Sequence, residues 1–256
     1  MTILYFTSTG NCLAVAKKIG GRLCSIPQMN KTKEYTFSDD SIGIICPVYG
    51  LCIPPYVQEF IKKAQFNCSY LFGIITYGFI DGAVCKQMEA LGKEKEKSFD
   101  YLNTLKMAEN YLPQFEMGKE IRKWSGEKGK KEQEEKLNQI LADINSKKTS
   151  IHHDTYLDQL LTKAHEKSYA YNCGIGMTKH YHVEEGCKGC GICTKVCPMH
   201  NIQIVNGKPV FGESCISCLA CTQNCPQNAI RLTNEKSRKR YRNASVSLQE
   251  LIGANQ

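Results

Sequence analysis

The sequence predicts an α/β protein, in which a doubly wound parallel sheet with helices on both faces is followed by a small α+β domain. Short apolar strands alternate with amphipathic helices over residues 1–115, the pattern of a parallel sheet covered by helices. Cysteines then recur at short, regular intervals between Cys187 and Cys225. At 256 residues the chain has room for one large domain and one small domain.

The hydrophobic pattern orders the elements of the first domain. Residues 3–6, 42–46 and 71–76 are apolar runs typical of buried strands. Residues 22–26 predict an edge strand, and residues 105–108 predict the last strand. Three helical faces lie between the strands, and their apolar residues are Leu13, Ala16 and Ile19, then Val57, Phe60, Ile61 and Ala64, then Val84, Met88 and Leu91.

Residues 116–178 are predicted to form a helical connector that packs on the sheet domain or bridges to the next module. This segment is rich in lysine and glutamate and contains two apolar stripes with i, i+3, i+4, i+7 spacing. The stripes are Leu137, Ile140, Leu141 and Ile144, and Leu157, Leu160, Leu161 and Ala164.

The formal net charge is +8, and part of the excess lies in the segment KSRKRYRN at residues 236–243. This segment has no interleaved aromatic stacking motif, and the charge count treats every cysteine as neutral. Residues 233–256 therefore predict a solvated basic tail rather than a nucleic-acid site.

Fifteen cysteines indicate metal or redox chemistry in a cytoplasmic protein, because thiols stay reduced in the cytosol. The start MTILYFTSTGN has no basic region and no long apolar run of the kind found in signal peptides. No stretch approaches the roughly 20 apolar residues that a membrane-spanning helix needs. We expect a cytoplasmic protein without a membrane span.

Two cysteine runs share the spacing C-x2-C-x2-C-x3-C-P. Three cysteines separated by two residues can wrap three corners of a cuboidal cluster, whereas the fourth lies too far along the chain to close on the same cluster. Zinc ribbons also use C-x2-C pairs, but the third cysteine and the following proline favour [4Fe-4S] clusters. The runs are Cys187, Cys190, Cys193 and Cys197 before Pro198, and Cys215, Cys218, Cys221 and Cys225 before Pro226.

These runs resemble those of the bacterial two-cluster ferredoxins. Tandem clusters in one small module usually form an electron path, with a purely structural role as the alternative. Gly189 and Gly191 keep the first loop small enough for backbone N–H groups to approach cluster sulfurs. The resemblance implies that cluster one takes Cys187, Cys190, Cys193 and Cys225, and that cluster two takes Cys215, Cys218, Cys221 and Cys197.

The first strand runs directly into a hydroxyl-rich loop and then a helix, a layout suited to holding a phosphate. The segment YFTSTGN resembles the phosphate loop of flavodoxins, which binds the FMN phosphate without a cation. That pattern usually has a threonine where Cys12 stands here. A reactive thiolate with a lowered pKa at this helix N-terminus is a secondary expectation, which applies only if no phosphate covers the thiol. The resemblance assigns FMN contacts to Thr7, Ser8, Thr9, Gly10, Asn11 and Cys12.

Two further loops follow predicted strands at the edge where doubly wound sheets bind ligands. In flavodoxins the matching loops flank the isoalloxazine ring, so the resemblance implies ring contacts for Tyr49 and Tyr77, which otherwise are surface aromatics. A weaker likeness to ferredoxin-fused flavodoxin-like proteins lies at residues 108–113, AENYLP. The residues of the two loops are Pro47, Val48, Tyr49 and Gly50, and Thr76, Tyr77 and Gly78.

The order of these features resembles the EFR1-type ferrodoxins over residues 1–232. The implied fold class is a flavodoxin-like doubly wound parallel sheet followed by a small α+β two-cluster ferredoxin-like domain. The corresponding division is an FMN-binding core at residues 1–115, the connector at 116–178, a 2[4Fe-4S] ferredoxin domain at 179–232 and the basic tail at 233–256.

The resemblance also implies a function, that of an iron-sulfur flavoprotein of anaerobic metabolism serving unidentified redox partner proteins. It would pass electrons between two [4Fe-4S] clusters and FMN, and so couple one-electron and two-electron partners. No residue stands out as a general acid or base, which favours a carrier over an enzyme. Two alternatives remain: an FMN-dependent oxidoreductase acting on a small molecule, and a two-cluster ferredoxin with a flavin-free docking domain, which Cys12 keeps open.

Overall fold

The computed structural model describes the backbone of residues 1–172 and 175–256, and the side chains of residues 1–164 and 177–256. The predicted connector at 116–178 therefore includes some residues outside the description. The elements of the larger, N-terminal part are β1 (Thr2–Tyr5), α1 (Asn11–Ile19), β2 (Arg22–Ser25), α2 (Ile26–Thr32), β3 (Thr36–Ser38), β4 (Ser41–Pro47), α3 (Pro55–Lys63), β5 (Gln65–Asn67), β6 (Tyr70–Tyr77), α4 (Val84–Glu94), β7 (Tyr101–Lys106), α5 (Met117–Ser125), α6 (Glu127–Asn145), β8 (Ser150–Ile151) and α7 (Tyr156–Asn172). The C-terminal part contains α8 (Ile175–Thr178), β9 (Tyr181–Val183), α9 (Ile192–Lys195), β10 (Ile202–Val205), β11 (Lys208–Phe211), α10 (Ala220–Gln223), β12 (Ile230–Leu232) and α11 (Leu248–Asn255).

Six parallel strands form the central sheet, in the order β2-β1-β4-β6-β7-β8. The inner strands β4 and β6 are near-continuous apolar runs because both of their faces are covered. From β1 the chain adds β2 on one side and β4 on the other, so the winding direction reverses between β1 and β4. A ligand crevice is expected beyond the carboxyl ends of the strands at this point.

Helices cover both faces of the sheet, as the sequence predicts. Successive residues of β1 point to opposite faces, with Leu4 in one apolar cluster and Ile3 in the other. Helices α2, α3 and α4 contribute to the first cluster, and α1, α6 and α11 contribute to the second. The prediction of an α/β sheet domain is confirmed.

The last strand of the predicted core begins earlier than its hydrophobic pattern indicates. β7 starts at Tyr101 and ends at Lys106, whereas the sequence places a strand at residues 105–108. Tyr101 is fully buried because its hydroxyl group donates a hydrogen bond to Asp143 on α6, at 3.0 Å. The half-buried Asn103 interrupts the apolar pattern and concealed the start of the strand.

The two predicted connector stripes have different environments. On α6, Ile140 and Ile144 are buried against the sheet, as predicted. On α7, the expectation of a packed stripe is wrong, since Leu157 is 63% and Leu160 is 48% exposed. Among the side chains of α7 up to residue 164, the buried one is Thr162, whose Oγ1 accepts a hydrogen bond from the Ala83 N–H at 2.8 Å. Among the described residues, no helix is both long and apolar enough to cross a membrane.

Among its described residues, the smaller part contains two antiparallel strand pairs, the one-turn helices α8, α9 and α10, and the longer helix α11. β10 pairs with β11, and β9 pairs with β12. The rings of Tyr181 on β9 and Phe211 on β11 stack with their centroids 4.7 Å apart, which joins the two pairs. Helix α9 contains Cys193 of the first run, and α10 contains Cys221 of the second run.

The segment expected to be a solvated basic tail packs on the sheet domain, so that expectation is wrong. Val246, Leu251 and Ala254 are buried in the same apolar cluster as α1. A capping box between Ser247 and Glu250 begins α11. Basic residues dominate positions 236–243, but the apolar residues after position 243 bury enough surface to dock the segment.

Candidate functional site

Four cysteines from both runs surround one small cavity in the C-terminal part. The three contributed by the first run are Cys187, Cys190 and Cys193, and the fourth is Cys225 of the second run. These are the residues that the sequence assigns to cluster one. Gly189 has φ +63°, and a Cβ atom there would lie 2.7 Å from the Gly207 carbonyl oxygen, so the loop requires glycine.

The other four cysteines form a second group around Cys218. The Cys218 thiol interacts electrostatically with the thiols of Cys197, Cys215 and Cys221. Cys197 thus lies with the second run, as the assignment to cluster two requires. Burial raises the pKa of the Cys218 thiol, so the free thiol is neutral and iron binding would release its proton.

Backbone N–H groups approach one sulfur in each group. The Asn201 N–H donates to Cys197 Sγ at 3.4 Å, and the Ala229 N–H donates to Cys225 Sγ at 3.3 Å. Hydrogen bonds of this kind favour the thiolate form and raise the reduction potential of a bound cluster. Four sulfur ligands per group, with donors to sulfur, fit a [4Fe-4S] cluster.

The two groups differ in their access to solvent. In the first group, Cys190 is exposed and Cys187 is half-buried. In the second group, Cys197, Cys218 and Cys221 are buried. The first group therefore lies at the surface of the protein, and the second lies deeper, toward the sheet domain.

A cavity of about 440 Å³ lies beyond the carboxyl ends of β1, β4 and β6. Its volume is within the usual range for cofactor sites. The loops predicted to contact FMN line it, with the exception of Gly10. Those lining residues are Thr7, Ser8, Thr9, Asn11, Cys12, Pro47, Val48, Tyr49, Gly50, Thr76, Tyr77 and Gly78.

The hydroxyl groups of the first loop are arranged to donate to an anion. Thr7 Oγ1 accepts a hydrogen bond from the Gly10 N–H at 3.1 Å, and Thr9 Oγ1 accepts one from Asn110 Nδ2 at 3.0 Å. Ser8 Oγ accepts from the Tyr49 hydroxyl group at 2.9 Å. Because each oxygen already accepts a bond, its own hydrogen remains to donate. The first N–H groups of α1 add further donors at the same end of the helix.

Asn11 and Cys12 line the cavity and also make contacts within the protein. Asn11 Nδ2 donates to the Ala108 carbonyl oxygen at 3.2 Å, so the side chain braces the loop. The Cys12 thiol lies 3.1 Å from Thr76 Oγ1, and burial raises its pKa to about 12. The expectation of a reactive thiolate at Cys12 is wrong because desolvation outweighs the helix N-terminus.

Both predicted ring-contact tyrosines line the cavity. Tyr49 packs its edge against Phe6, with the ring centroids 6.2 Å apart. Tyr77 is the last residue of β6, and Lys106 Nζ lies 5.6 Å from the centre of its ring. The segment at 108–113 also reaches the cavity through Ala108, Glu109, Asn110 and Tyr111.

Glu109 is a cavity residue that the sequence does not distinguish from other surface acids. Its Oε1 accepts hydrogen bonds from the N–H groups of Asn110 and Tyr111, at 2.8 and 3.0 Å. Burial raises the pKa of this carboxyl group. A carboxyl group with a raised pKa at a cavity wall keeps its proton to a higher pH than a free carboxyl group and can deliver it to a bound molecule.

The cavity belongs to both parts of the chain. Ser217, Cys218 and Leu219 of the second cysteine group complete its wall. Asn224 Nδ2 donates to the Ser8 carbonyl oxygen at 3.2 Å, and Gln223 Nε2 donates to the Asn110 carbonyl oxygen at 2.7 Å. No local pattern identifies these residues, since they reach the site only through docking of the two parts.

The fold and these cysteine groups define a protein with an iron-sulfur domain seated on a parallel α/β sheet. Residues 186–230 match a family model described as a 4Fe-4S dicluster domain, and this range contains both cysteine runs. The match favours iron-sulfur clusters over zinc as the group that the cysteines hold. The chain therefore carries a ferredoxin-like iron-sulfur domain with a role in electron transfer. No curated protein matches the chain.

Proposed function

We propose that this chain is an electron-transfer iron-sulfur flavoprotein that passes electrons between two [4Fe-4S] clusters and a bound FMN. The shared cavity carries the proposal, because Cys218 lines the same space as the phosphate loop and the tyrosine loops. When bound, the clusters exchange single electrons and FMN exchanges one or two. The chain would then couple one-electron partners to two-electron partners.

In this proposal the two cysteine groups hold the two clusters. Cys187, Cys190, Cys193 and Cys225 would hold the one at the surface, and Cys215, Cys218, Cys221 and Cys197 would hold the one beside the cavity. Since Cys190 is exposed, the first group is the one that faces a redox partner protein. The second group is adjacent to the flavin.

The sheet domain would hold FMN in the manner of a flavodoxin-like domain. The hydroxyl groups of Thr7, Ser8 and Thr9 supply neutral donors for the phosphate, and Tyr49 and Tyr77 supply aromatic surfaces for the ring. The sheet order with its reversal at β1 supports this assignment. The resemblance to EFR1-type ferrodoxins supports the same reading and indicates a cytoplasmic protein of anaerobic metabolism.

Anaerobic reconstitution with iron and sulfide, followed by titration with FMN, tests the proposal. We expect about eight iron atoms per chain, as two cubane clusters require, and quenching of flavin fluorescence that saturates at one equivalent. Full iron content without flavin quenching would instead identify a two-cluster ferredoxin with a flavin-free docking domain.

A matched pair of variants separates the phosphate loop from general effects. Thr9→Val removes a cavity hydroxyl group and should weaken FMN binding about ten- to hundredfold, since a hydrogen bond to a charged group contributes roughly 1.5–3 kcal/mol. Thr36→Val alters an exposed strand threonine that does not line the cavity. Equal affinities in the two variants would contradict the assigned phosphate site.

Glu109 favours a second candidate function, that of an FMN-dependent oxidoreductase acting on a small molecule. Two-electron reduction of an organic substrate also transfers protons, and Glu109 is an acid with a raised pKa in the cavity wall. Turnover of a quinone or dye that falls in Glu109→Gln while cluster content stays constant would support this candidate. Turnover insensitive to the variant would leave the carrier function.

A further inference from the structure

The C-terminal segment 241–256, here called the strap, crosses the outer side of the phosphate loop. The Asn243 N–H donates to the Thr9 carbonyl oxygen at 2.8 Å. Asn11 Oδ1 accepts from the Tyr241 hydroxyl group at 2.7 Å and from Asn243 Nδ2 at 3.1 Å. Three hydrogen bonds thus join the strap to Thr9 and Asn11, the two loop residues that flank Gly10.

Gly10 is the contact point between the loop and the strap. Its φ is +99°, and a Cβ atom there would lie 3.0 Å from Val246 Cβ and 3.1 Å from Asn243 Cβ. Gly10 does not line the cavity, although the residues on either side of it do. The loop is therefore held between the cavity on one side and the strap on the other.

The strap is itself anchored to both parts of the chain. On the sheet domain, Lys17 Nζ lies 2.6 Å from Glu250 Oε1 and donates to the Ser245 carbonyl oxygen at 3.1 Å. On the iron-sulfur domain, Leu248 and Ile252 pack with Cys218 and its neighbours. The strap is thus rigid enough to transmit its position to the loop.

We propose that Tyr241 and Asn243 are positioning residues for the flavin phosphate, an inference that rests on the proposed function. A glycine peptide can rotate because glycine adopts positive and negative φ values with similar ease. If the peptide between Thr9 and Gly10 rotated, the Thr9 carbonyl oxygen would turn toward the cavity and repel a phosphate. The hydrogen bond from Asn243 holds that carbonyl group outward.

Tyr241 acts on the other side of the glycine. With its Oδ1 held by the strap and its Nδ2 held by the Ala108 carbonyl oxygen, Asn11 has one orientation at the start of α1. The first N–H groups of the helix then point at the phosphate position without a reorganisation cost on binding. The strap supplies this rigidity without contributing a residue to the cavity wall.

The affinities of FMN and riboflavin distinguish positioning of the phosphate from general support of the fold. Riboflavin carries the same ring without a phosphate, so its affinity reports the ring site alone. In reconstituted protein, Tyr241→Phe and Asn243→Ala each remove a side-chain hydrogen bond to Asn11 and leave the backbone bond from the residue 243 N–H to Thr9 in place. We expect each variant to weaken FMN binding about five- to tenfold and to leave riboflavin binding unchanged. Arg242→Gln, an exposed change between them, serves as the control and should match wild type in both affinities.

Each other result overturns the inference in a recognisable way. If wild type binds FMN and the strap variants bind it equally well, the positioning role is wrong and the proposed function stands. If the variants lose FMN and riboflavin in parallel, the strap only supports the fold. If wild type binds neither flavin, the proposed flavin site is wrong and the positioning role is wrong with it.

Discussion

Replacing Leu251 by alanine measures how strongly the C-terminal helix is packed on the sheet domain. Leu251 is fully buried among residues of α1 and the sheet. The substitution removes three carbon atoms, which at about 0.8 kcal/mol per buried CH₂ is a transfer loss of about 2.4 kcal/mol. The cavity left behind adds to this, so we expect the free energy of unfolding to fall by about 3–4 kcal/mol, within the usual range for such changes.

Thermal unfolding of the reconstituted protein under anaerobic conditions provides the assay. At this chain length a loss of about 3 kcal/mol lowers Tm by about 6–12 °C. Gln249→Ala, an exposed change on the same helix, is the matched control and should alter stability by less than about 0.5 kcal/mol. If Leu251→Ala also stayed within that limit, α11 would be a solvated segment and the reasoning from burial would be refuted.

Four further predictions concern the cysteine groups, the sheet and α11. Cys197→Ser should lower the iron content to about half, since one of the two clusters loses a ligand, and an unchanged content would contradict the ligand assignment. Gly189→Ala combines φ +63° with a clash against the carbonyl oxygen in the β10–β11 turn, so iron should be released faster to a chelator than from wild type. In β4, Gly43→Ala would place a Cβ atom 2.3 Å from Phe72 Cζ and should destabilise the protein by about 1–3 kcal/mol or more in urea unfolding. Gly253→Ala, where a Cβ meets no described atom within 4 Å, should instead stabilise α11 by about 0.5–1 kcal/mol.

The docking of the two parts gives the iron-sulfur domain a role in shaping the cavity at the edge of the sheet. Cys218 and its neighbours form a wall of the cavity, and Asn224 binds the backbone of the phosphate loop. A change in the second cysteine group therefore reaches the proposed flavin site through direct contacts. FMN affinity should therefore be measured in both cluster-loaded and cluster-free protein, because the second cysteine group forms part of the cavity wall.

Local patterns in the sequence were sufficient for the α/β class of the sheet domain and for the iron-sulfur nature of the C-terminal domain. Apolar runs such as SIGIICP identify strands because side chains alternate across a sheet and both faces are buried here. The cysteine spacing identifies an iron-sulfur domain because a cubane cluster needs ligands at fixed short intervals. The loops at 7–12, 47–50 and 76–78 follow from the same reasoning, since parallel strands deliver their carboxyl ends to one edge.

Only the tertiary structure decided which distant segments complete the site. Tyr241 meets Asn11 across 230 positions of the chain, and Asn224 meets Ser8 across 216. Composition misled in the same region, because the basic residues at 236–243 indicate a solvated tail although Val246 and Leu251 are buried beside them. On α7, the apolar stripe faces solvent because the Thr162 hydrogen bond to Ala83 orients the helix. Periodicity reports that a face is apolar, whereas what that face meets depends on contacts between segments far apart in the sequence.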